Sequence, residues 1–188
     1  RKLWHMFTGS LGVFCFYFFE VDKSSMTFSL AKLTVVAFLV DFIRLKFSGM
    51  NSSVMYLMKP FMRDSEARSL SGLPFYALGV TLSLFLFEEK VAILSILFLV
   101  FSDPIASFFG VLFGKQKILP NKTFEGCVAA YVTCYFLTLL YGLSLGVNGF
   151  DLFIFSLLAG AVGMLSEAFS MGLDDNLTIP VVAGSGLS

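Results

Sequence analysis

Charge is what this chain has least of. Only 14% of its 188 residues are Asp, Glu, Lys or Arg, where a soluble domain carries roughly 25%. With 57% hydrophobic residues, 24 phenylalanines and a mean hydropathy of +0.85, a water-facing fold is excluded. Histidine and tryptophan occur once each, as His5 and Trp4. The three cysteines, Cys15, Cys127 and Cys134, stand singly in apolar stretches. That spacing excludes CxxC and Cys/His metal motifs and leaves them as small buried hydrophobes. The formal net charge is zero, so no basic footprint points to a nucleic-acid partner. No GxxxxGK[ST] run and no kinase-type glycine loop occurs, which excludes those two ways of holding a nucleotide. Nothing in the sequence sets an oligomeric state.

What is present is a series of long apolar runs, at residues 3–19, 28–45, 73–87, 91–113, 124–145 and 150–169. They are continuous rather than alternating, which fits helices and not a barrel. A span needs roughly 20 residues, so the run at 73–87 is short and 177–187 is at most a half-helix. The expectation is an all-α polytopic transmembrane bundle of six to seven spans, a single integral-membrane domain over residues 1–188. The first residue is Arg1 rather than Met, and we expect a trimmed N-terminus. Residues 48–71 differ in kind, mixing methionines and aromatics with Lys59, Arg63, Asp64, Glu66 and Arg68. They predict an amphipathic interfacial helix kinked at Pro60, either a cover for the bundle or a lipid-facing gate.

Charge placement then sets orientation. With the N-terminus cytoplasmic, Arg1, Lys2, Arg44, Lys46, Lys59, Arg63, Arg68, Lys115, Lys117 and Lys122 fall on that side, against Lys23 and Lys90 opposite. The positive-inside rule favours this arrangement. The embedded acids Asp41, Asp103, Glu125 and Glu167, and the run Asp174-Asp175-Asn176, then gather at the cytoplasmic ends of their spans. Carboxylates in hydrocarbon are costly and mark function, so the reading is a multi-pass membrane protein with its active site facing the cytoplasm.

Several motifs carry the chemistry. Ser102-Asp103-Pro104 breaks the fourth helix, because proline lacks an amide donor and disfavours a helical residue before it. A carboxylate at a break suits Mg2+, with Asp103 as ligand. Lys115, Lys117 and Lys122 with the corner Thr123-Phe124-Glu125-Gly126 offer cations and a helix N-terminus to phosphate. Glu167 and Asp174-Asp175-Asn176 offer a second metal contact or a proton acceptor, with a capping turn as the alternative for the latter run. Arg1, Lys2 and His5 either anchor the first helix or reach a phosphate or hydroxyl. Asp41 and Arg44, one turn apart, form an ion pair or orient a phosphate-binding arginine. The Gly110–Gly114 spacing reads as close helix packing.

In order, RKLWH at the start, SGLPFYALG from Ser71, SDPIASFFGVLFGK from Ser102, KTFEG from Lys122 and EAFSMGLDDNLTIP from Glu167 resemble the CTP-dependent lipid-alcohol kinases. These are dolichol kinase, phytol kinase, the yeast-type diacylglycerol kinase and their short bacterial relatives. The resemblance spans almost the whole chain. It implies transfer of a phosphoryl group from CTP, with a divalent metal, to the hydroxyl of a membrane lipid alcohol. It also implies a CTP site in the 115–126 loop and near Asp103. On that reading Lys115, Lys122 and Thr123 meet the phosphates, Asp103 and Asp174 or Asp175 hold magnesium, and Glu167 takes the hydroxyl proton. Ser102 departs from the glycine common in the family at that place, while the acid after it is kept. The KTFEG corner is also similar to phosphatidate cytidylyltransferases, but their histidine-glycine-glycine motif and Asp-Arg pair are missing here. A small ion-coupled transporter is the non-enzymatic alternative, and it leaves KTFEG without a purpose. A short form suits a bacterial inner membrane, with the endoplasmic reticulum as the alternative.

Overall fold

The computed structural model describes residues 2–59, 61–120, 122–168 and 173–188. Its helices are α1 (Lys2–Phe18), α2 (Lys23–Lys46), α3 (Ser48–Leu57), α4 (Gly72–Leu86), α5 (Glu89–Leu97), α6 (Asp103–Phe113), α7 (Phe124–Ser144), α8 (Phe150–Ala168) and α9 (Asp175–Leu187). Local chemistry fixes several boundaries. Asp22 caps α2 by accepting the Ser25 N–H at 2.9 Å, and Arg44 and Lys46 fill its last turn, where cations suit the helix dipole. Thr123 caps α7 through the Gly126 N–H, and Asp174 caps α9 through the Asn176 N–H.

The centre of the bundle is a single rod, Glu89–Phe113. In it α5 and α6 are joined by a π-helical segment, Phe98–Ser102. Ala92, Phe98 and Val100 on this rod are fully buried. Around it stand α1, α4, α7 and α9, with α8 paired to α7 and α2 leaning on α4. Among the described residues, four rods are long and apolar enough to cross a membrane: α2, Glu89–Phe113, α7 and α8. The helix α4, expected short, has 15 residues. Phe28, Phe85, Phe108 and Phe150 point outward, a surface that suits lipid and not water.

Three details depart from expectation. The fourth span is widened rather than severed at Asp103, which is itself helical at φ −60° and ψ −47°. Pro104 sits in the first turn of α6, where a missing amide costs little, and the π turn before it absorbs the misfit. The interfacial segment is shorter than 48–71: α3 ends at Leu57 and buries no side chain, and a 3₁₀ turn, Asp64–Arg68, comes after it. The kink at Pro60 lies outside the described residues. The basic loop also folds into a small antiparallel ribbon, β1 (Lys117–Leu119) and β2 (Lys122–Thr123).

Candidate functional site

The start of α1, the α6–α7 loop, the end of α8 and the start of α9 meet at one end of the bundle. There Asp103, Glu167 and Asp175 each bring a carboxylate oxygen within 4.8 Å of the others. Asp103 is 1% and Glu167 3% exposed. Asp103 is the first residue past the π segment, a device that often marks functional sites because the extra residue per turn re-aims the side chains beyond it.

Two lysines answer these acids. Lys2 Nζ donates to both oxygens of Asp103. Lys122 Nζ donates to Glu167 Oε1 at 2.8 Å and Asp175 Oδ2 at 3.2 Å. Burial works against the Lys122 ammonium, but Glu167 and then Asp175 outweigh it, so its pKa lies above the ordinary lysine value. Glu167 Oε2 is buried and has no hydrogen-bond partner among the described residues. An orphan carboxylate oxygen is costly, and three hard oxygen donors with no sulfur or nitrogen suit Mg2+. The residues therefore fit a divalent cation.

A pocket of about 420 Å³ opens beside the cluster, lined by Lys2, Arg63, Lys122, Thr123, Ser107 and Gly110 among others. The ribbon explains how KTFEG works. Lys122 reaches across to α8 and α9, Thr123 turns the chain into α7, and Glu125 Oε1 accepts the Lys115 N–H at 3.0 Å to close the loop. The chain also runs tight here. A Cβ on Gly110 would stand 3.0 Å from Thr123 Oγ1, and one on Gly126 would stand 3.0 Å from the Ala106 carbonyl. This is the close packing expected at Gly110, and it is where the pocket floor forms.

Other expected site residues lie elsewhere. Arg44 is fully buried and away from the pocket. Its guanidinium bonds Asp41 at 2.6 Å, Asn51, the Glu66 carbonyl and the Ser69 carbonyl, leaving it no reach to a phosphate. Asp41 Oδ2 accepts the Ser71 N–H, and Glu66 accepts the Arg63 and Gly72 N–H groups. The group thus clamps residues 63–72 to the end of α2. Asp174 is the α9 cap. Asn176 donates to the Gly72 carbonyl at 3.3 Å, tying α9 to α4, so the capping reading holds for that part of the acidic run. The Lys115 side chain is exposed, and Glu125 holds the loop; neither lines the pocket. His5 is buried, edge-on to Tyr76, and faces a separate apolar cavity. Arg1 lies outside the described residues.

Sequence reading missed Arg63 and Ser107 as pocket residues. In the sequence Arg63 is one more cytoplasmic charge on an interfacial segment. Its true address depends on the Arg44–Glu66 clamp, which no spacing rule reveals.

A sequence profile of the Cytidylyltransferase family matches residues 2–170. The CTP-dependent diacylglycerol kinase 1 of Schizosaccharomyces pombe is 36% identical, over 79% of this chain and 73% of that protein. The protein of the same name from Saccharomyces cerevisiae is 27% identical, over 97% of this chain and 70% of its own length. An uncharacterized protein of Rickettsia prowazekii is 26% identical over 96% of this chain and 88% of that protein. No solved structure matches. The family profile covers most of the chain, and the chain belongs to the Cytidylyltransferase family, among its CTP-dependent lipid kinases.

Proposed function

We propose that this pocket moves the terminal phosphoryl group of CTP to the hydroxyl of a membrane lipid. The chain is a CTP-dependent lipid kinase, a phosphotransferase with an alcohol acceptor. The observation that carries our placement of the chemistry is the buried pair Asp103 and Glu167, with half-buried Asp175, beside Lys2, Lys122 and Arg63. Phosphoryl transfer is mostly positioning and charge stabilisation, and a ring of acids and cations supplies both.

In our reading Lys122, Arg63, Lys2 and the α7 N-terminus at Thr123 hold the phosphates. One oxygen each of Asp103, Glu167 and Asp175 would hold Mg2+, which when bound neutralises phosphate oxygens and favours the leaving group. The lipid hydroxyl oxygen forms a bond to the γ-phosphorus as the bond to the β–γ bridging oxygen breaks, and CDP leaves. The remaining oxygen of Glu167 takes the hydroxyl proton. The pocket end of the bundle faces the cytoplasm. Lys2, Arg44, Lys46, Arg63 and Lys122 cluster there, while Lys23 and Lys90 stand at the far end, as the positive-inside rule asks. Diacylglycerol is the first acceptor to test, with polyprenols and phytol-like alcohols next.

The test gives purified protein in detergent γ-labelled CTP, Mg2+ and a panel of lipid alcohols, with an Asp103→Asn variant beside it. Label passing from CTP to one alcohol, and lost in the variant, is the expected result. Label from α-labelled CTP appearing in a phosphatidate product would replace the kinase with a cytidylyltransferase.

A further inference from the structure

A second cavity, of about 690 Å³, lies between α1, α2, α4 and α5 and is almost wholly apolar. Its walls include Val13, Leu30, Ala37, Val80, Leu84 and Ile93. Its charged lining, Asp41 and Glu66, sits at the pocket end only and is already engaged by the Arg44 clamp. Along α4 the lining runs from Gly72 to Leu84, about 18 Å at 1.5 Å per residue. That slightly exceeds the depth of one leaflet, about half of a 30 Å hydrocarbon core.

Two further observations say what such a space is for. First, α1 and α2 are consecutive in sequence, yet each rests mainly on other elements. α1 rests on the central rod, and α2 on α4 and α3. Leu33, Val36 and Val40 of α2 line the cavity and are still 54%, 53% and 44% exposed, so the cavity opens sideways, toward lipid. Second, the cavity and the acidic pocket share a partition. His5 lines the one and Lys2, a turn earlier on α1, lines the other; Met62 and Arg63 divide in the same way.

We infer that this cavity seats one hydrocarbon chain of the acceptor lipid, admitted laterally between α1 and α2. Its hydroxyl end then lies at the mouth beside His5 and Lys2, next to Asp103. The assignment rests on the lipid-kinase reading for the identity of the occupant. The volume is within the roughly 300–1,000 Å³ of ligand sites, and burying one chain there replaces lipid contacts with protein contacts at no cost in exposed polar groups. The segment with Val54, Met58 and Phe61 closes the mouth from the α3 side, which gives the interfacial stretch a gate's position.

Gly12 makes the assignment testable. It lines the cavity, and a Cβ built on it meets nothing within 4 Å, so Gly12→Trp starts from open space and puts an indole against the cavity. Ala37→Phe fills it from the opposite wall. The probe is a diacylglycerol with a mid-chain diazirine, photolysed on the protein in nanodiscs and mapped by peptide mass spectrometry. Labelling is expected on residues 8–16 and 76–84 and is expected to fall about tenfold in both filled variants. KM for a long-chain diacylglycerol should rise about tenfold in both, while KM for CTP stays put. Labelling spread over α7 and α8, or unchanged by both fillings, overturns the inference. If cavity labelling behaves as expected but no protein transfers phosphate, the seat stands and the kinase reading fails. If transfer is robust and indifferent to both fillings, the kinase stands and the seat fails.

Discussion

The most informative substitution is Glu167→Gln, because the site predicts opposite signs for stability and activity. Three carboxylates share the cluster with two lysines. At an effective dielectric near 20, repulsion between Glu167 and an acid within 4.8 Å is at least about 3.5 kcal/mol. Asp103 and Asp175 together therefore cost at least about 7 kcal/mol, and Lys122 at 2.8 Å returns about 6. Neutralising Glu167 thus removes slightly more repulsion than attraction. It also relieves the desolvation of a charge only 3% exposed. Glutamine keeps an oxygen for Lys122. The expected change is from none to a gain of about 1 kcal/mol, which for a chain of this size is about 2–4 °C in Tm.

Thermal unfolding in detergent with a chelator present measures this, read through the reactivity of buried Cys127 and Cys134. Adding Mg2+ should then raise the wild-type Tm, by the equivalent of about 2.7 kcal/mol at a hundred times Kd, and should raise the variant's less. Phosphoryl transfer should fall at least about a hundredfold, the loss typical of one charge-positioning group. A Tm drop of about 5 °C or more without metal, beyond what a change of 1 kcal/mol produces, would refute the reasoning, for Glu167 would then be a structural partner of Lys122 and not a ligand held under repulsion.

Arg44→Met should cost about 3–5 kcal/mol, because it strands the buried Asp41 carboxylate; a chaotrope series reads this, and CTP affinity of the folded fraction should be unchanged. Asp174→Ala removes the α9 cap, worth about 1 kcal/mol, and should leave transfer within a few-fold, whereas Asp175→Asn next door should lower it about a hundredfold. Gly79→Ala would place a Cβ 2.3 Å from the Asn176 carbonyl, pushing α9 and Asp175 away. Both Tm and Mg2+-dependent transfer should fall. The folded pKa of Lys122 lies above the ordinary lysine value of 10.5, so its stabilisation is complete below that pH and drains as pH climbs through the folded value. An alkaline loss of Tm should therefore appear in the wild type and shrink in Lys122→Met.

The helices and the acids were legible because both are enforced locally. Long apolar runs leave the backbone no other choice in lipid, and a carboxylate inside such a run stands out against its surroundings. Asp103 and Glu167 could be singled out on that ground, and Asp175, Lys2 and Lys122 by their gathering at the same ends of the spans. What could not be read is which way each polar group turns. Asp41 and Arg44 carry the same alarm as Asp103, yet they spend themselves on residues 66–71, because the strand of chain after α3 doubles back over the end of α2. Asp174, Asp175 and Asn176 are adjacent, but the helix they start sends one to the cap, one to the cluster and one to α4. The π segment, which keeps Asp103 helical in spite of Pro104, depends on burial of Phe98, Leu99 and Val100 on every side, a tertiary fact.

The two lysines explain how so many buried acids are tolerated before substrate arrives. Lys2 comes from the first turn of the chain and Lys122 from a hairpin at the middle, so neither is held by the helices whose acids it neutralises. Each sits on a partly exposed stem, 30% and 17%, and can swing toward the pocket. On the proposed reading, a nucleotide's phosphates arriving with a cation would give the acids a new partner and the lysines the phosphates. Such an exchange would swap ion pairs without leaving a bare charge in a low-dielectric site, where one would cost several kcal/mol. On this account Lys122→Met should weaken CTP binding and destabilise the metal-free protein together, and Mg2+ should restore the stability but not the affinity. A variant in which Mg2+ restored both would mean that Lys122 only holds the acids apart and never meets the nucleotide.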